Sequence, residues 1–282
     1  MNTLLERTKQ QRTEQRTTIT NRTMNILDTI IAQKELEVAE RKALTPQEAL
    51  EKQAGFARPV LSLKQFLLDP ARTGIIAEFK RKSPSKGIIN GDADVVTVTS
   101  AYARYGASGL SVLTDTEFFG GSTKDLVLAR VNNIPILRKD FIIDEYQITE
   151  ARAMGADVIL LIAACLTPAV VKRLAAFANS LGLEVLLELH DEEELEHICP
   201  ETGLVGINNR NLKTFTVDID RSLRMAEQLP AGKVKIAESG ISDPATIRLF
   251  RENGFHGFLV GENFMKSPDP GKAFADFVDQ LS

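Results

Sequence analysis

Apolar residues in this chain gather in short, mostly unbroken runs at residues 75–79, 110–113, 134–137, 158–162, 184–189, 204–207, 234–237 and 257–260. Runs of that length with little polar alternation are what strands buried on both faces require. They begin 20–35 residues apart, and the segments between them are helix-compatible, most clearly at 168–180, 221–228 and 244–253. Strand and helix in repeated alternation predict an α/β fold with a parallel sheet. Eight such units in 282 residues fit a closed (β/α)8 TIM barrel better than an open doubly wound sheet. No G-x-G-x-x-G follows any run, which argues against a dinucleotide site.

Ahead of the first run, Ile26, Ile30, Ile31, Leu36 and Val38 recur at mixed three- and four-residue spacings. They predict an amphipathic helix to about residue 42. Thr45-Pro46 opens a second short helix, and 61–68 reads as a third, closed by Asp69-Pro70. Residues 24–70 are thus a helical extension that caps or covers the barrel, and 24–282 is expected to be one domain. Residues 1–23 differ, being rich in Arg, Thr and Gln and nearly free of apolar residues. They lack the continuous apolar core of a secretory signal, and Glu6, Glu14 and the missing apolar face argue against a transit peptide. A disordered polar tail is expected, with Met24 as an alternative start.

Composition narrows the class. Hydrophobic content of 43% and charged content of 26% are those of a soluble globular protein. A net charge of −4 implies no basic surface for nucleic acid, and no run approaches the roughly 18 residues that span a bilayer. A cytoplasmic protein with no nucleic-acid or membrane partner is expected. Cys165 and Cys199 stand outside any C-x-x-C, and His190, His197 and His256 are scattered. Reduced thiols, ordinary histidines and no metal site are therefore expected.

Chemistry concentrates at the strand ends. In IIAEFKRKSPSKG, residues 75–87, Glu78 and Lys80 share one face of an extended segment. A buried carboxylate and ammonium are costly there unless paired or used. The same pattern recurs after the other runs: Thr114-Asp115 with Phe118-Phe119, Arg138-Lys139-Asp140-Phe141, Glu188, Asn208 and Arg210, Glu238-Ser239-Gly240, and Gly261-Glu262-Asn263. In a barrel these positions converge on one mouth, where catalysis is housed. Ser239, Gly240 and Gly261 follow the last two strands, the usual place of a barrel's phosphate cradle, where glycine lets backbone N–H groups approach an anion. Two strand-end lysines also permit imine chemistry, so a phosphate-binding isomerase or Schiff-base lyase stays open, as does a catalytically silent barrel.

Six motifs in order, IIAEFKRKSPSKG, PILRKDFIIDEYQI, LLELH, GINNRNLKTF, AESGI and FLVGENFM, closely resemble the indole-3-glycerol phosphate synthase family of tryptophan biosynthesis. The resemblance runs from about residue 26 to the end of the chain and leaves only the polar tail outside it. It implies a carboxy-lyase that uses no cofactor. Such an enzyme closes the ring of 1-(2-carboxyphenylamino)-1-deoxy-D-ribulose 5-phosphate, losing carbon dioxide and water. By the same resemblance Lys139 is the general acid, with burial among other cations expected to lower its pKa. Glu188 is the charge-stabilising carboxylate and base, and Glu78 orients it. Lys80 holds the substrate carboxylate, Asn208 hydrogen-bonds the acid or a substrate hydroxyl, and Arg210 supports Glu188 or nearby loops. Ser239, Gly240 and Gly261 take the phosphate, helped by Ser83 and the region of Lys82, while Phe119, Phe141 and Leu212 line the aryl slot. Where relatives carry a small hydroxyl residue, this chain has Glu262, whose backbone can serve a phosphate while its side chain is expected to turn away. A monomer is expected, and association with other enzymes of the same pathway is left open.

Overall fold

The computed structural model describes residues 25–211 and 216–281. The expected polar tail, 1–23, and Leu212 lie outside the described residues. Eight parallel strands close into a barrel: β1 (Ile75–Phe79), β2 (Gly109–Leu113), β3 (Ile136–Lys139), β4 (Val158–Ile162), β5 (Glu184–Leu189), β6 (Leu204–Asn208), β7 (Val234–Glu238) and β8 (Phe255–Val260). Each pairs with its sequence neighbours, and β1 closes the ring against β8 through Ile75–Phe258, Ile76–Leu259 and Ala77–Val260.

Three helices precede the barrel, α1 (Ile26–Leu44), α2 (Gln47–Leu50) and α3 (Leu63–Leu68). The rest follow the strands: α4 (Val95–Arg104), α5 (Thr123–Ala129), α6 (Glu145–Met154), α7 (Pro168–Ser180), α8 (Ile219–Glu227), α9 (Pro244–Glu252), α10 (Glu262–Met265) and α11 (Pro270–Asp279). Their starts are written in the sequence. Thr167 caps α7 and Asp243 caps α9, each followed by proline, whose missing N–H costs nothing at a first helical turn.

Two of the expectations need correcting. The third strand starts two residues later than its apolar run, because the pairing carries on through Arg138 and Lys139. Arg138 is fully buried outside the barrel, held by Asp140 at 3.1 Å and Glu150 at 3.0 Å, so a charged residue occupies a strand position that hydropathy skips. Between β5 and β6 the connection carries a 3-10 helix (Glu192–His197) and not an α-helix.

Two-residue alternation along the strands splits the core. Ile75, Ala77, Phe79, Ile159, Leu161, Val185 and Leu187 face the surrounding helices. Ile76, Leu137, Leu160, Leu186 and Ile236 fill the barrel with Leu63 and Leu67 of α3, which plugs its lower end. Gly109 makes room for that plug, since a Cβ there would stand 2.7 Å from Leu63, while a Cβ at Gly257 would meet Ile236 at 2.6 Å and Leu67 at 3.1 Å. Inward positions one step higher are Glu78, Lys139, Glu188, Asn208 and Glu238. The same parity that builds the apolar interior therefore places the polar layer at the C-terminal mouth.

α1 lies across that mouth. Asn25 and Asp28 form its capping box, and Lys34 reaches down, fully buried, between Asp115 (2.9 Å) and Asp140 (3.0 Å) at the ends of β2 and β3. Burial opposes that charge, but Asp140, Asp115 and Glu37 outweigh it and hold the ammonium above its usual range.

Candidate active site

A cavity of about 650 Å³ opens at the mouth. Its floor is a lattice of alternating charges. Lys80 Nζ lies 2.6 Å from Glu78 Oε1, and Lys139 Nζ stands 2.9 Å from Glu188 Oε2 and 3.6 Å from Glu238 Oε2. Asn208 Nδ2 donates to Glu188 Oε1 at 2.8 Å, and His190 Nε2 sits 3.0 Å from the same oxygen. Glu78, Glu188 and Glu238 are all nearly inaccessible, at 4%, 4% and 1% exposure, so these charges interact with little solvent screening.

Burial and neighbours divide their protonation. Burial disfavours charge on Lys139, but Glu188, Glu238 and Glu78 outweigh it and hold the ammonium above its ordinary range. The expected lowering is thus reversed, since the lysine sits among carboxylates and not among cations. Burial would keep Glu188 neutral, yet Lys139 and His190 hold its carboxyl well below the usual range. Burial and the charge of Glu188 push Glu238 up to about 8. Two adjacent carboxyls thus take opposite states at neutral pH.

Two glycines exist for these acids. A Cβ at Gly206 would run into the Glu238 carboxyl, with its Cδ at 3.1 Å, and a Cβ at Gly261 would stand 2.6 Å from Glu78 Oε1. Gly261 is therefore required by the floor, whatever it also offers a ligand.

Toward the rim, Ser83, Ser239, Gly240, Ile241, Gly261 and Asn263 line one side. Ser239 adopts φ 67° and Gly240 φ 70°, and the serine is the described non-glycine residue in this costly conformation. Phe119 and Phe141, with ring centroids 6.0 Å apart, line an apolar side together with Ile26, Leu27 and Ile30 of α1.

A family model described as indole-3-glycerol phosphate synthase matches residues 27–277. An indole-3-glycerol phosphate synthase of Bacteroides thetaiotaomicron is 49% identical over 258 residues, covering 91% of this chain and 99% of its own. One from a Polaromonas species is 46% identical, covering 89% and 97%. The chain belongs to the indole-3-glycerol phosphate synthase family. Among solved structures, tryptophan synthase subunit alpha from Legionella pneumophila matches with a TM-score of 0.57 at 15% identity, covering 78% of this chain and 96% of that one. At that identity the likeness is one of fold.

For an indole-3-glycerol phosphate synthase, the structure gathers Lys80, Lys139, Glu78, Glu188, Asn208, Ser83, Arg210, Ser239, Gly240, Gly261, Glu262, Phe119 and Phe141 around one cavity. Arg210 does not meet Glu188. Its guanidinium turns to Glu262 Oε2 at 3.6 Å, while its backbone N–H donates to Asn208 Oδ1. The Glu262 carboxylate also lies 3.6 Å from Lys86, so it swings sideways between two cations and stays on the cavity wall. Lys82 points elsewhere, donating to the Glu117 carbonyl at 3.0 Å. Sequence reasoning undervalued Glu238 and took His190 for an ordinary histidine. Strand parity could have found both, since Ile236 and Glu238, like Leu186, Glu188 and His190, alternate onto the inner face. The roof from α1 and its Lys34 anchor carried no comparable signal.

Proposed function

We propose that this cavity carries out ring closure on 1-(2-carboxyphenylamino)-1-deoxy-D-ribulose 5-phosphate, giving indole-3-glycerol phosphate, carbon dioxide and water in tryptophan biosynthesis. The observation that carries the reading is Lys139 Nζ held between Glu188 and Glu238 in the same pocket as the Lys80–Glu78 pair. Lys139 donates a proton to the ribulose carbonyl oxygen as the aryl carbon attacks the carbonyl carbon. The ring carboxylate then leaves as carbon dioxide and restores the arene. Glu188, ionised, stabilises the positive charge that develops on nitrogen and takes the proton from the carbon next to it, while the hydroxyl made in the first step leaves as water with a proton from Glu238. Lys80 holds the aryl carboxylate, Glu78 orients Lys80, and Asn208 fixes Glu188. Glu238, carrying a proton at neutral pH, adds a donor beside Lys139.

The phosphate lies against the small backbone at Ser239, Gly240 and Gly261, with Ser83 and Arg210 near, and the aryl ring lies against Phe119, Phe141 and the α1 roof. Holding both ends brings the reacting carbons into attack geometry, a large part of the acceleration in such a reaction. An ammonium kept charged by the ionised Glu188 and Glu78 around it is present to donate and is a poor amine nucleophile, which weighs against imine chemistry at Lys139. Residues 24–282 act as one unit, a cytoplasmic monomer with a small-molecule substrate. Among the described residues no helix is long and apolar enough to cross a membrane.

Incubation with the carboxyphenylamino-ribulose phosphate should produce indole fluorescence. Lys139→Ala and Glu188→Gln should each lose about a hundredfold or more in kcat, the scale of an acid–base group. Parent-like turnover in Lys139→Ala, or a borohydride-trapped adduct on a lysine, would overturn the assignment.

A further inference from the structure

His190 ends the LLELH segment just past β5 and lines the cavity with 3% of its surface exposed. Nε2 lies 3.0 Å from Glu188 Oε1, within hydrogen-bond distance, and Nδ1 lies 3.8 Å from Glu194 Oε2. The imidazole thus has a carboxylate on each side.

Glu238 is placed in the opposite way. Lys139 stands farther from it than from Glu188, 3.6 Å against 2.9 Å, and Glu238 Oε1 is buried without a hydrogen-bond partner. Two carboxyls that share one lysine in a dry site ionise together only at high cost, so one of them keeps a proton. We propose that His190 is a positioning residue that decides which one: its charge faces Glu188, fixes the negative charge there and leaves the proton on Glu238. The proposal rests on the reading of Glu188 as the catalytic carboxylate and adds what sets its state.

Every charge around the imidazole agrees with this. Glu188 and Glu194 outweigh its burial and push it up to about 9, so it is cationic through the neutral range. Beyond Glu188 stand Lys139 and Asn208, on its other side. From the turn after β4, Cys165 is pushed up to about 12 by burial and adds no charge. On the neighbouring turn Asp191 is paired with Arg221 at 3.7 Å. His190 acts on Glu238 less than Glu188, Lys139 and Glu78 do, whereas it touches Glu188 directly at 3.0 Å.

Titration of protein carrying ¹⁵N-labelled histidine, with His190 assigned from the His190→Asn spectrum, reads the imidazole without turnover. The His190 nitrogens should stay imidazolium-like to pH 8 or above and should titrate about one pH unit lower in Glu188→Gln. In His190→Asn, kcat at pH 7 should fall about tenfold with KM within about twofold. The acid limb of its kcat profile should move about one unit toward neutrality, as the proton spreads onto Glu188. A neutral imidazole at pH 7, or an unmoved acid limb in His190→Asn, overturns the proposal. Should His190→Asn not fold, His190→Gln supplies the assignment and the profile. Full activity of Glu188→Gln would count against the catalytic carboxylate and leave the charge pattern standing, because the titration is independent of turnover.

Discussion

Lys34→Met removes one ammonium from the centre of a fully buried cluster and leaves Asp115 and Asp140 beneath α1 without it. Losing one partner of a buried ion pair costs about 3–5 kcal/mol, because the remaining charge stays desolvated. The remaining contacts set where in that range this site falls. Asp140 keeps Arg138 at 3.1 Å and the Thr114 hydroxyl at 2.6 Å, and Asp115 keeps the backbone N–H groups of Phe118 and Phe119 at 2.8 and 3.1 Å. The lower end, about 3 kcal/mol, is therefore expected. At about 2 °C per kcal/mol for a domain of this size, Tm should drop about 6 °C. The same change frees the helix whose Ile26, Leu27 and Ile30 roof the cavity, so KM should rise several-fold while kcat changes less. Differential scanning calorimetry and steady-state fluorescence kinetics read the two effects. A Tm within about 1 °C of the parent together with an unchanged KM would refute the idea that this lysine pins the roof to the barrel.

Gly206→Ala forces the Glu238 carboxyl off its seat, so kcat should fall about tenfold or more while KM holds; stopped assays showing parent-like kcat would dismiss the steric account. Glu262→Gln removes a negative charge between Lys86 and Arg210 and frees both for an anion, so KM should fall about two- to fivefold, within the range of exposed pairs. A higher KM would mean the glutamate organises the rim. Asp140 is held below the ordinary carboxylate range, down to about 2, since Arg138 and Lys34 outweigh its burial. Its folded pKa is the lower one, so its contribution is complete above about pH 4 and is lost as pH falls through about 2. Urea midpoints should decline on acidification over that window, less steeply in Asp140→Asn, and equal slopes would remove Asp140 from the acid response.

Much of this molecule was legible from the chain. Eight apolar runs with polar ends dictated the barrel, and an inward Glu78 follows from Ile76 as an inward Glu188 follows from Leu186, because a strand turns every second side chain to one face. Glycine after the last strand could be read as a close approach, but only the fold revealed that Glu78 is the group approached. Lys34 reads in sequence as one more charge on a solvated helix face. Its partners, Asp115 and Asp140, lie far along the chain, and nothing local foretells them. Charge states were likewise undecided: Lys139 was expected among cations and stands among carboxylates, and of two similar glutamates one holds a proton at neutral pH. Periodicity fixes direction because it is a property of neighbouring bonds. Protonation depends on burial and on every charge within a few ångströms, and only the closed barrel brings those groups together.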